Sequence, residues 1–190
     1  WKPEPFPDCR YEEREAYLTR IDAKLDSIVD GLLPHYTAWD GEQEFVRGGI
    51  LHEPGDIVRP VNEFTSQLLS VVAFDIFDDQ SGPVAAEAIP TAWNSTIYAS
   101  RDHLYVFQST QGNWWDGMTT DILAFTWDVA SGEIHATATG SVPGQPLNQF
   151  SADEHEGRLR VATTQRRFVE GVATTDNGVY VLEKVGSTLK

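Results

Sequence analysis

The second half of the sequence repeats itself, and this repeat constrains the fold more than any other feature. Residues 71–76 (VVAFDI) resemble residues 122–127 (ILAFTW), 51 positions later, and residues 179–184 (VYVLEK), a further 57 positions on. Two shorter matches keep the same step: Gly82 with Gly132, and residues 104–106 with residues 159–161. Self-similarity at such a period is typical of folds in which one supersecondary unit stacks on the next.

Each repeat predicts four antiparallel strands in about 50 residues, which is the content of one β-propeller blade. We expect a mainly β chain in which residues 65–190 form a partial β-propeller. It would hold two complete four-stranded blades at about 68–110 and 120–164, and the first strand of a third from residue 178. Propellers close with typically 4–8 blades. The chain is therefore expected to be a fragment, with the missing blades of its own full-length chain as partners.

The N-terminal part has a different pattern. Residues 1–34 predict an extended, proline-rich arm followed by one amphipathic α-helix over 11–33, because apolar residues recur there at three- and four-residue steps. Gly31 and Pro34 supply the stop signal. Residues 35–64 are rich in Gly, Pro, Asp and Glu and predict a linker with short strands.

Charge and hydropathy exclude two classes of partner. The chain carries 14 Lys+Arg against 29 Asp+Glu, a formal net charge of −15, and this field repels phosphate backbones. No apolar stretch approaches the roughly 20 residues that span a bilayer. We therefore expect neither nucleic-acid binding nor membrane insertion.

Motifs for catalysis are missing from the sequence. The five histidines are scattered, without the spacing of zinc ligands, and Cys9 is the single cysteine. Neither a nucleophile elbow nor a glycine-rich phosphate loop is present. The sequence thus favours a binding protein without a cofactor over an enzyme.

Two adjacent tryptophans form the most unusual local feature. Trp114 and Trp115, followed by Asp116, fall where a loop between strands is expected. Exposed indole rings stack on sugars and anchor protein interfaces, so these three residues are a candidate site for a carbohydrate or protein ligand. The alternative is that the rings are buried between blades, as large aromatic side chains usually are.

A cluster of carboxylates offers a second candidate site. Asp153 and Glu154 begin an acidic run that ends at Gly157, and carboxylate oxygens are the ligands that Ca²⁺ prefers. A calcium site at Asp153 and Glu154 competes with a structural alternative, in which these side chains bind turn amides or pair with Arg158 or Arg160.

The sequence resembles a known family, the bacterial secreted proteins with a C-terminal β-propeller domain distantly related to WD-type repeats. The resemblance lies in residues 140–144 (GSVPG), 147–154 (LNQFSADE) and 157–164 (GRLRVATT), and in YAS followed by LY at 98–105. It implies a propeller fold and a secreted or extracytoplasmic location, at the periplasm or cell surface, and it supplies no catalytic motif.

The expected function is therefore that of a non-catalytic binding or scaffolding module, a fragment of a secreted bacterial β-propeller protein. The alternative is an extracytoplasmic hydrolase or carbohydrate-binding propeller that uses its axial face or the Trp-rich loop.

Overall fold

The computed structural model describes residues 12–39, 42, 45–58, 67–77, 82–91, 95–111, 117–128 and 130–190. The chain divides into two compact units, Trp1–Glu53 and Pro54–Lys190. Within the described ranges, the first unit holds two α-helices and a two-stranded sheet, and the second holds ten strands.

The helical segment of the first unit is broken. The prediction of one continuous helix is wrong, because α1 (Arg14–Asp22) and α2 (Leu25–Leu32) are separate helices. The N–H of Lys24 donates to the carbonyl of Ile21 at 2.9 Å, and this three-residue step tightens the turn and ends the first ladder. The apolar pattern runs on through the break, so periodicity does not reveal it.

A short hairpin follows the helices. Strands β1 (His35–Trp39) and β2 (Phe45–Ile50) pair antiparallel, with a register shift next to Trp39. No helix in the described ranges is long and apolar enough to cross a membrane.

The described part of the second unit is built mainly from strands. They are β3 (Gln67–Phe74), β4 (Pro83–Thr91), β5 (Ser95–Ala99), β6 (His103–Gln111), β7 (Met118–Trp127), β8 (Ile134–Pro143), β9 (Ala152–His155), β10 (Arg158–Val169), β11 (Val172–Val185) and β12 (Thr188–Leu189). The chain is mainly β, as the sequence predicts.

Two meanders make up the larger sheet of this unit. Its strand order is β5-β6-β7-β8-β12-β11-β10-β9. We call β5–β8 the first meander and β9–β12 the second meander, since neighbouring strands within each are consecutive and antiparallel. One parallel pair, Thr188 with Thr139, joins them. Strands β3 and β4 form a separate hairpin.

The strand pairing places the repeat differently from the sequence-based boundaries. The segment from residue 178 does not begin a new unit, because β11 pairs with β10 from Arg158↔Glu183 to Val169↔Val172. The matched segments 122–127 and 179–184 lie in the third strand of each meander, not the first. Sequence similarity gives the period of a repeat but not where one unit begins.

The core lies between stacked layers of strands. One cluster fills the space between the meanders and includes Phe107 and Ile122 from the first meander and Leu159 and Val161 from the second. Another cluster lies between the β3–β4 hairpin and the opposite face of the first meander, around Phe125. Because side chains alternate along each strand, the first meander is buried on both faces.

Candidate functional site

The structure describes two of the five sequence-predicted site residues, Asp153 and Glu154. Trp114, Trp115 and Asp116 lie outside the described residues. Asp153 and Glu154 are neighbours in β9, and their side chains point to opposite sides of that strand, as strand geometry requires. They therefore have different partners.

The Asp153 side chain forms a surface ion pair with Arg160. The Nε–H of Arg160 donates to Oδ1 of Asp153 at 2.7 Å, and Nη2 donates to Oδ2. The two residues face each other across the β9–β10 ladder. The hydrogen bonds from Arg160 hold the pKa of the Asp153 carboxyl below its usual value.

The Glu154 side chain is enclosed, with 8% of its surface exposed. Its carboxylate accepts hydrogen bonds from the Ser100 hydroxyl at 2.6 Å, the His103 Nδ1–H at 2.9 Å and the Tyr105 hydroxyl at 3.2 Å. All three donors belong to the first meander, whereas Glu154 belongs to the second. A buried carboxylate needs such donors to offset its loss of hydration.

The β5–β6 turn positions two of these donors. The Ser100 N–H donates to the His103 carbonyl at 2.8 Å and closes the turn. The Ser100 hydroxyl oxygen accepts from the backbone N–H groups of Asp102 and His103. The hydroxyl itself has two acceptors within reach, the His103 carbonyl at 3.1 Å and the Glu154 carboxylate at 2.6 Å, and the carboxylate is the closer one.

Two tyrosines complete the enclosure. The rings of Tyr98 and Tyr105 stack with their centroids 6.1 Å apart. The Tyr98 hydroxyl accepts a hydrogen bond from the backbone N–H of Glu154 at 3.0 Å. Burial, together with the neighbouring Glu154 charge, raises the pKa of Tyr105 well above its ordinary value, so Tyr105 is a donor at neutral pH.

The cluster does not have the geometry of a Ser-His-Glu triad. In a triad the serine bonds to an imidazole nitrogen that takes its proton. Here the Ser100 hydroxyl donates to the Glu154 carboxylate, and only the backbone of His103 contacts Ser100. The Nδ1 of His103 lies 2.9 Å from the Glu154 carboxylate, and a carboxylate accepts, so Nδ1 is the nitrogen that donates in this pair. The arrangement can join two meanders but holds no activated nucleophile.

Metal ligands do not converge either in the part of the chain that the structure describes. No group of three or more His, Cys, Asp or Glu residues is placed there to hold a metal ion. Asp153 is engaged with Arg160 and Glu154 with the first meander, so a shared calcium ion would have to displace both sets of contacts.

Comparison with known proteins identifies the family. The model of the β-propeller domain family matches residues 10–190. The chain belongs to the β-propeller domain family.

An uncharacterized protein of Archaeoglobus fulgidus is 35% identical to this propeller chain over 94 residues, which cover 45% of the chain and 13% of the relative. The chain thus spans a small part of the length of that relative. No solved structure matches the chain.

Sequence reasoning missed the partners of Glu154. Ser100, His103 and Tyr105 lie 49 to 54 positions away, about one repeat of the propeller domain. The spacing of about one repeat could have indicated these partners. When consecutive repeats stack, the first turn of one unit lies close to the first strand of the next. Without the correct starting point of the repeat, this signal could not be used.

Proposed function

We propose that the chain is a non-catalytic binding or scaffolding module of a secreted bacterial protein. One observation supports this proposal most directly. The enclosed carboxylate of Glu154 accepts hydrogen bonds from three side chains of the neighbouring meander, so this polar cluster acts as a connection between the two meanders. Membership of the β-propeller domain family supports a platform of this kind.

Substitutions at Glu154 and His103 test whether this polar cluster stabilises the fold or takes part in catalysis. Glu154→Gln and His103→Gln are compared with the unchanged protein for urea unfolding and for hydrolysis of ester, peptide and glycoside substrates. If the module is non-catalytic, both variants should unfold at lower urea concentration than the unchanged protein. The unchanged protein should show no hydrolysis above the buffer background. Hydrolysis that either variant abolishes without changing the urea midpoint would contradict the proposal.

We place the ligand contact of this module at Trp114, Trp115 and Asp116. Paired indole rings beside an acidic side chain fit a sugar or a protein surface. A glycan array is the direct test, with the Trp114→Ala, Trp115→Ala double variant expected to lose the signal. Trp39→Ala is the matched control, because Trp39 is 62% exposed in the first unit.

A glycan signal that is equal in the double variant, or that disappears in the control, would contradict this placement. The same would follow if no glycan bound the unchanged protein and a partner protein, once purified, bound the double variant with unchanged affinity.

A further inference from the structure

One asparagine of the second meander stands in the local sequence that deamidates most readily. Asn177 is followed by Gly178, and none of the other four asparagines in the sequence precedes a glycine. In such a pair the backbone nitrogen of the glycine reaches the side-chain carbonyl carbon of the asparagine, because glycine has no Cβ that blocks the approach. The second meander therefore contains a dipeptide that is chemically reactive by itself.

The reaction at this dipeptide is a ring closure followed by hydrolysis. The Gly178 nitrogen forms a bond with Cγ of Asn177, the Cγ–Nδ2 bond breaks, and the amide group leaves as ammonia with the proton of the Gly178 N–H. Water then opens the succinimide ring at either of its carbonyls, which gives aspartate or isoaspartate at position 177. Neither step needs a cofactor or an oxidant.

The side chain of Asn177 is exposed to solvent but held in place. The Thr164 hydroxyl donates to Oδ1 of Asn177 at 2.8 Å, directly across the β10–β11 ladder. Both residues line a groove of about 290 Å³, so water reaches the amide group. Burial of the side chain therefore does not protect this pair, and protection must come from the backbone.

The strand pairing engages the backbone nitrogen that would attack. The N–H and carbonyl of Thr164 bond with Gln145 at 2.9 and 3.0 Å, on the side of β10 away from β11. Because successive residues of a strand point these groups to opposite sides, those of Thr163 face β11, where its partner is Gly178. The Gly178 N–H therefore donates to the Thr163 carbonyl, and ring closure requires this bond to break.

Packing explains why glycine occupies position 178. A Cβ there would lie 2.9 Å from Cε2 of Tyr180, and Tyr180 packs against the core cluster between the meanders. At the neighbouring position, Asn177 accepts the cross-strand hydrogen bond from Thr164. Two separate structural requirements thus place the members of the reactive pair side by side.

We propose that Asn177 is a site of spontaneous deamidation whose rate is set by opening of the β10–β11 ladder at Thr163 and Gly178. The closed ladder withholds the attacking nitrogen, and each opening releases it. This modification site goes beyond the proposed function and does not depend on any ligand.

Modification makes such an opening irreversible. Isoaspartate carries the main chain through its side-chain carbon and adds one atom to the backbone, so the residues on its two sides cannot both keep their partners in the ladder. Aspartate keeps the hydrogen bond from Thr164 but adds a charge beside Asp176, which already pairs with Arg167. Both products weaken the pairing of β10 with β11.

Peptide mapping by mass spectrometry tests the site and its control by the ladder. The protein is incubated in mildly alkaline buffer with and without denaturing urea and is then digested with trypsin. Cleavage after Arg167 and Lys184 releases residues 168–184, in which Asn177 carries the one side-chain amide. Deamidation of this peptide is expected to be at least ~30-fold slower without urea.

Equal rates with and without urea would overturn the control by the ladder. Absence of deamidation at position 177 in urea would overturn the site itself.

Thr164→Val tests whether opening at this pair sets the rate, because it removes the hydroxyl that holds Asn177. Thr175→Val is the matched control, since Thr175 is also exposed on β11 and lies opposite Arg166. Without urea, Thr164→Val should deamidate about 5-fold faster than the unchanged protein, the factor that corresponds to one side-chain hydrogen bond, and Thr175→Val should not. In urea all three proteins should react at the same rate. An unchanged rate in Thr164→Val, or an equal increase in both variants, would overturn opening at this pair as the controlling step.

Discussion

The Ser100 hydroxyl donates a 2.6 Å hydrogen bond to the Glu154 carboxylate, although the two residues lie 54 positions apart. Ser100 belongs to the turn that follows the first strand of one meander, and Glu154 belongs to the first strand of the next. The contact therefore joins successive units of the propeller chain at the same end of the strand layers, next to the apolar core that they share.

Replacing Glu154 tests the strength of this connection. Glu154→Gln removes the charge and directs amide hydrogens at groups that are themselves donors. Hydrogen bonds to a buried charged group contribute ~1.5–3 kcal/mol, so the free energy of unfolding should fall by about 2 kcal/mol. Urea denaturation of the 190-residue chain with and without the substitution measures this fall in the free energy of unfolding.

Asp153→Asn is the matched control for that experiment, because the neighbouring pair with Arg160 is exposed on both sides. Exposed ion pairs contribute little, so this variant should unfold close to the unchanged protein. If the free energy of unfolding falls equally in the two variants, burial of Glu154 does not strengthen its hydrogen bonds relative to the exposed Asp153–Arg160 pair.

Glycine 144 provides a second prediction. Gly144→Ala introduces a Cβ 2.8 Å from the Thr164 carbonyl oxygen at a φ of +81°. Backbone strain and the clash together should lower the free energy of unfolding by at least ~2 kcal/mol. The loss is measured by chemical denaturation of both proteins.

Gly157→Ala separates strain from clash in that comparison. Gly157 has a φ of +72°, and nothing lies within 4 Å of a Cβ placed there. It should therefore show only the strain, about 1 kcal/mol. If both glycine variants lose the same stability, the close approach between the meanders at Gly144 has no energetic effect.

The sequence predicts the strand content well, for a simple reason. Strand β7 contains the β-branched and aromatic run of residues 122–127, and this local signal survives without tertiary information. Strand β11 is less regular, because the turn-like residues 176–178 (DNG) lie inside it. The period of the repeat is likewise visible, since residues 104–106 and 159–161 occupy the same position in β6 and β10.

The sequence does not reveal features that depend on strand pairing or on contacts between distant residues. The starting point of each unit is set by hydrogen bonds such as those of β10 with β11, which leave no mark in the repeat. The break between α1 and α2 depends on one three-residue step at Lys24. The partners of Glu154 come from a different unit, so no motif near Glu154 indicates them.

Calcium addition tests the metal-binding alternative for Asp153 and Glu154. Both carboxylates have protein partners, from Arg160 in one case and from Ser100 and His103 in the other. Binding of Ca²⁺ would require breaking the hydrogen bonds of both carboxylates. The melting temperature should therefore be the same in Ca²⁺ as in a chelator. A rise with Ca²⁺ that Asp153→Asn abolishes would contradict this expectation.

The pH dependence of stability should show the burial of Glu87. Burial raises the pKa of the Glu87 carboxyl above its ordinary value of 4.5, although it accepts a hydrogen bond from the Ala136 N–H and lies near His135. A raised pKa means that the folded chain holds the proton more tightly than the unfolded chain. Stability is therefore lost as pH rises from 4.5 through the folded value.

Glu87→Gln should remove this loss, because the amide stays neutral and its oxygen can still accept from Ala136. The stability of the variant relative to the unchanged protein should therefore increase between pH 4.5 and neutrality, as measured by urea denaturation at a series of pH values. Asp128 should show the opposite pH dependence of stability, which Asp128→Asn would remove. Backbone N–H groups of Ser131 and Ala130 lower the pKa of Asp128 below 3.8, so its contribution is lost as pH falls through that lowered value. A Glu87→Gln difference that is constant with pH would mean that the proton on Glu87 is held equally in the folded and unfolded chains.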